Sequence, residues 1–208
     1  MKYRYYQQVY ISQSGFTLVE MMTSIAIFTV ITTMGLAALL SMVNASRQAQ
    51  AQRAALDSLN FVVDAIARDA RTGSQYVIGG NPAAYNQTST NNGAGTAFSF
   101  QNQEGCPVTY RFQEDTSTNL GTIEQRKGGA CSGNDNTYYR LTSPAVINIT
   151  NLNFDVRGAD ADVGDTLQPM VSLVIAAEAS SSGAISDIVL QTSVTQRLLD
   201  IPTSSLTP

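Results

Sequence analysis

A run of 28 residues from Phe16 to Val43, FTLVEMMTSIAIFTVITTMGLAALLSMV, contains a single charged side chain, Glu20. At about 1.5 Å rise per residue, such a run is long enough to cross a bilayer as one helix. A carboxylate near its start costs on the order of 2–3 kcal/mol if it enters hydrocarbon, so Glu20 needs a partner or a use. An ordinary secretory signal would use Lys2 and Arg4 as its basic region and Val43-Asn44-Ala45 as a loose cleavage site. It explains the run poorly: the apolar stretch is about twice the usual length, and a carboxylate inside it has no purpose. A plain membrane anchor with Glu20 near the interface is the other competing reading. In either membrane reading, Lys2 and Arg4 hold the first residues in the cytoplasm and place everything after the helix outside.

The hexapeptide Gly15-Phe16-Thr17-Leu18-Val19-Glu20, followed directly by the apolar run, resembles the processing site of the type IV prepilin family. That family comprises the pilins and the pseudopilins of secretion and DNA-uptake systems. The resemblance implies cleavage by a prepilin peptidase after Gly15 and methylation of the new N-terminal residue, Phe16. It also implies that Glu20 pairs with the N-terminal amine of a neighbouring subunit during assembly. The physics is compatible, since a cationic amine at the same depth compensates a carboxylate in the membrane. Glycine leaves the scissile peptide without a Cβ and open to close approach. One departure stands out: Gln13-Ser14, not basic residues, precede the glycine, and the leader is rich in tyrosine (Tyr3, Tyr5, Tyr6, Tyr10).

The chain is therefore expected to divide into a leader peptide (1–15), a transmembrane or filament-core helix (16–44), an amphipathic helix (45–73) and a β-rich head (74–208). Cleavage would leave 193 of the 208 residues and remove two of the 12 basic ones, giving 10 basic against 16 acidic side chains, a net charge of −6. An acidic exterior without a basic cluster argues against a dedicated nucleic-acid surface. Cys106 and Cys131 both fall in the exported part, where an even count suggests one disulfide closing a loop of 26 residues. Loop entropy would make such a bridge worth about 3.5 kcal/mol. Two reduced, buried thiols are the alternative.

Beyond the apolar run, Ala45, Ala49, Gln52, Leu56, Leu59, Val63, Ile66 and Ala70 share one helix face. Asp64 and Arg68 stand in the favourable acid-first order on the polar side. Thr72-Gly73-Ser74 marks the stop, with Gly73 near the C-cap. The segment from Gly79 to Ala97 carries no charge and few bulky apolar groups, as a surface loop does. Strand patterns follow at 97–101, 108–112, 138–142, 149–156, 170–176 and 187–198, with Gly105 and Pro107 between the first two and a polar turn over 178–184. A long helix followed by strands implies an α+β fold, the helix lying on a C-terminal antiparallel β-sheet head. The strands from Ile149 to Arg197 also resemble the closing pattern of larger minor pilins, such as the J-type pseudopilin of type II secretion and the W-type minor pilins.

The chain contains no histidine, which removes Ser-His-Asp and Cys-His catalysis and leaves no zinc ligand set. No glycine-rich phosphate loop occurs, and the adjacent carboxylates Glu114 and Asp115 suit a solvated turn. An enzyme is not expected, and neither is a cofactor. Asp160, Asp162 and Asp165 offer the beginnings of a calcium loop. However, Gly164 falls one position early for a helix-loop-helix site and no bidentate glutamate follows, so a solvated acidic connection with Asp155 and Arg157 is the preferred reading. The expected function is structural: a minor pilin or pseudopilin of a type IV pilus or type II secretion-like filament. Its partners would be other pilin subunits, the prepilin peptidase and the inner-membrane assembly platform, and its location the bacterial cytoplasmic membrane and then the filament. The alternative is a membrane-tethered adhesin or binding module with an exported β-rich domain.

Overall fold

The computed structural model describes residues 15–80, 91–128, 137–159, 167–181 and 184–197. The chain forms two compact units, Met1–Ser46 and Arg47–Pro208, and helix α1 (Leu18–Thr72) contributes to both. In the first unit α1 passes without interruption through Gly35, and every residue from Gly15 to Ser46 is exposed. This part of α1 is long and apolar enough to cross a membrane. Its hydroxyls do not break that character. Thr29, Thr32 and Thr33 donate to the carbonyls of Ile25, Phe28 and Thr29 at 2.7–2.8 Å, so each polar group is satisfied within the helix.

Among the described residues of the second unit, the head segment of α1 is followed by nine strands: β1 (Ser74–Ile78), β2 (Gly93–Gly95), β3 (Ala97–Gln101), β4 (Pro107–Asp115), β5 (Leu120–Lys127), β6 (Tyr138–Arg140), β7 (Asn148–Arg157), β8 (Met170–Ser181) and β9 (Ala184–Thr195). The α+β class is as expected, but the head has two antiparallel sheets, ordered β1-β3-β4-β5-β6 and β2-β7-β8-β9. The expected surface loop between Gly79 and Ala97 is part of the reason. Its residues Gly93–Gly95 form β2 and pair with Phe154–Val156 of β7, so the chain visits the second sheet between β1 and β3.

One hydrophobic core joins the helix and both sheets. Helix residues Ala55, Leu59, Val62, Ile66 and Ala70 are fully buried in it. The anticipated stripe is correct at Leu59, Ile66 and Ala70. Leu56 is exposed and Val63 only half-buried, because a strict 3.5-residue spacing drifts by about 20° per heptad on a 3.6-residue helix. Phe98 of the first sheet stacks on Phe154 of the second at 5.5 Å between ring centroids, and Tyr76 meets Phe98 edge-on at 5.2 Å. The exposed Asp64–Arg68 pair forms at 2.6 Å.

The helix stops at Thr72 as expected, though Gly73 does not serve as a left-handed cap. The left-handed residue is Gln75 (φ 57°), beside the register irregularity between Ser74 and Val77. Gly73 is required for space: a Cβ there would lie 2.3 Å from Phe100 Cδ2. At Gly121 a Cβ would lie 2.0 Å from the Ile149 carbonyl, which is how closely β5 approaches β7. The polar segment expected as a turn over 178–184 is largely strand, since β8 continues to Ser181 and β9 resumes at Ala184.

Candidate functional site

Gly15, Phe16 and Thr17 precede the helix, and Thr17 caps it. The Glu20 amide donates to Thr17 Oγ1 at 3.2 Å, and the Met21 amide donates to the Thr17 carbonyl at 3.2 Å, the first intrahelical bond. Thr17-Leu18-Val19-Glu20 thus has the sequence and backbone geometry of an N-terminal capping motif, with Glu20 in the first turn where a carboxylate favours the helix dipole. Two consequences follow for the Gly15–Phe16 peptide. It stands outside the helix, in backbone that need not be unwound before a protease approaches it. Its surroundings are also open: a Cβ at Gly15 would meet nothing within 4 Å. Among the described residues no contact demands glycine at this position. Thr17 escaped notice in the sequence because its threonine-x-x-glutamate signal is embedded in the longer hexapeptide.

Cys106 is fully buried and is not a free thiol; Cys131 lies outside the described residues. Asp160, Asp162 and Asp165 also lie outside them. Asp155, at the near end of that acidic segment, is held by Arg157 at 2.8 Å. Among the described residues no three histidine, cysteine, aspartate or glutamate side chains converge as a metal-binding group. Asp115 accepts both the amide (2.9 Å) and the hydroxyl (2.6 Å) of Ser117. These bonds hold its carboxyl below the ordinary range and make it a cap for the β4–β5 turn.

The fold also gathers arginines that are dispersed in the sequence. Arg111 donates through Nε and Nη2 to buried Glu124 at 3.0 and 2.8 Å, and Arg140 lies 3.8 Å from the same carboxylate. The guanidinium groups of Arg111 and Arg126 approach the ring of Tyr138 at 3.5 and 4.9 Å. These groups are engaged with neighbouring strands and tie β4, β5 and β6 together.

Residues 11–36 match a family model described as the prokaryotic N-terminal methylation motif. No curated protein and no solved structure matches the chain. The matched segment includes Gly15, Phe16, the capping residue Thr17, Glu20 and much of the apolar part of α1. Over that segment the chain is similar to proteins carrying the prokaryotic N-terminal methylation motif, the motif of prepilin-type processing.

Proposed function

We propose that this chain is a minor pilin or pseudopilin: a structural subunit that is cut after Gly15, methylated at Phe16 and built from the membrane into a filament. The observation that carries the proposal is the methylation motif at residues 11–36, which coincides with a capped helix start that leaves Gly15 and Phe16 outside the helix. Cleavage at Gly15 would create an amine one residue ahead of the cap. That amine and the Glu20 carboxylate of an adjacent subunit carry opposite charges at similar depth, and each lowers the cost of the other in hydrocarbon. Residues 16–44 act as anchor and filament core, 45–73 as the spine of the head, and 74–208 as the exported part. A Cys106–Cys131 bridge would fasten the start of β4 to the segment between β5 and β6. Resemblance of the C-terminal strands to J-type and W-type subunits supports a minor role over that of the bulk subunit.

Glu20→Ala tests the proposal. The variant should insert in the membrane at the normal level and be lost from the sheared-filament fraction, by about ten-fold or more if pairing is worth at least about 1.4 kcal/mol per subunit. Normal recovery of the variant in filaments would refute charge pairing as the assembly device.

A further inference from the structure

Among the described residues, the outer edge of β9 carries no further strand and is unlike every other sheet edge in the head. β9 is the last strand of its sheet, has 12 residues and pairs with β8 without a register shift. The remaining edges are short or irregular: β1 has five residues and a register shift, and β2 and β6 have three each. Exposed edges are normally blunted by lysine, proline or a bulge, because they recruit other strands. β9 has none of these and one charge, Asp187. Its outward side chains alternate Ile185, Asp187, Val189, Gln191 and Ser193, and Ile185 and Val189 are 64% and 67% exposed.

The chemistry of this edge specifies what it would accept. Asp187 stands directly opposite Glu178 of β8, both on the outer face. Like charges in that position oppose each other, and among the described residues no basic side chain pairs with either. A strand added on the open side would place a residue beside Asp187. Lysine or arginine there would offset both carboxylates, and apolar residues two positions to either side would cover Ile185 and Val189.

A second copy of this chain does not fit. Gln52 of α1 donates to Ser186 at 2.7 Å, and the Arg197 amide donates to the Arg71 carbonyl at 2.9 Å, so the head part of α1 runs in the same sense as β9. Antiparallel β9–β9 pairing would point the head segments of the two helices in opposite directions. The short edges of a second copy cannot match 12 residues either.

We infer that the β9 edge is a strand-addition site for an extended segment of a different polypeptide, with the pattern apolar-x-Lys/Arg-x-apolar aligned on Ile185, Asp187 and Val189. Main-chain hydrogen bonds would supply affinity, and the central cation would supply selectivity.

The test is photo-crosslinking of the full-length chain in its own cells, with p-benzoylphenylalanine at Val189 and, as a control, at Asn153 on the outer face of β7. The adduct from Val189 should map by tandem mass spectrometry to one segment of another chain carrying that pattern, and position 153 should not give it. Asp187→Lys should lower the adduct yield at least five-fold and Asp187→Asn by less, with the protein level and protease resistance of each variant used to normalise for folding. Adducts to a second copy, to lipid or to scattered segments, the absence of any adduct, or a yield indifferent to Asp187 would overturn the inference.

Discussion

Tyr110 on β4 donates its phenolic proton to Asp69 on the last turns of α1 at 2.7 Å, and Gln125 on β5 donates to both, at 2.6 Å to the phenol and 3.2 Å to the carboxylate. This triad fastens the head segment of the helix to the middle of the first sheet. A hydrogen bond to a charged group is worth about 1.5–3 kcal/mol, so Tyr110→Phe should lower head stability by about that amount in chemical denaturation of the full chain in detergent. A loss below about 0.5 kcal/mol would mean that packing alone seats the helix.

The same phenol gives the head an alkaline limit. Burial, and secondarily the Asp69 charge, push the Tyr110 phenol far above its ordinary value, and burial does the same to Tyr76, which donates to the Ala70 carbonyl. In the unfolded chain both phenols ionise near pH 10, whereas in the fold they remain protonated. Below pH 10 both phenols are protonated in both states and contribute no pH dependence. Above it the unfolded state is favoured, and stability falls by up to about 1.4 kcal/mol per pH unit for each phenol. Denaturation midpoints between pH 8 and 11 should show that decline, and Tyr110→Phe should make it shallower.

The two central glycines should respond oppositely to alanine. At Gly73 the new methyl collides with Phe100, and overpacking of this kind costs about 1–3 kcal/mol. At Gly35 nothing lies within 4 Å, and alanine favours a helix interior by about 1 kcal/mol. Thermal unfolding of the head should register the first change, and amide exchange around residue 35 should slow with the second.

Thr17→Ala removes the side-chain acceptor of the Glu20 amide, a loss of about 0.5–2 kcal/mol for a helix cap. Hydrogen exchange of the Glu20 amide should quicken by about five-fold for each 1 kcal/mol lost, with no change beyond the next turn. Unchanged exchange would show that the helix start is set by something other than Thr17.

If Cys106 and Cys131 form one bridge, Cys106→Ser, Cys131→Ser and the double variant should lose similar stability, about 2–5 kcal/mol each. Additive losses would show that the two sulfurs act separately.

The parts of the fold most legible in the sequence were those whose side chains alternate between apolar and polar. The apolar run became an exposed helix, and β7 and β8 follow period-two patterns that the core reproduces, whereas β3 and β4 bury both faces, at Phe98-Ser99-Phe100 and Val108-Thr109-Tyr110. β5 was not anticipated. Its Glu124-Gln125-Arg126-Lys127 segment has no apolar period, and its polar groups are satisfied by side chains distant in sequence, Arg111 for Glu124 and Asp69 with Tyr110 for Gln125. β2, a Gly-Ala-Gly triplet, has almost no side-chain pattern and owes its place to pairing with β7. Of the candidate site, Gly15, Phe16 and Glu20 could be picked out by the resemblance. The cap at Thr17 and the open edge of β9 became visible only when backbone partners and sheet order were known.

The most direct test is the N-terminus of the native protein, determined by intact and tandem mass spectrometry of membrane and sheared-filament fractions. A chain beginning at N-methylated Phe16, present in both fractions, is the predicted result. A chain retaining Met1 would contradict processing at Gly15, and one beginning at Ser46 would mean a secreted domain released from its helix. Either would remove the assembly role assigned to Glu20.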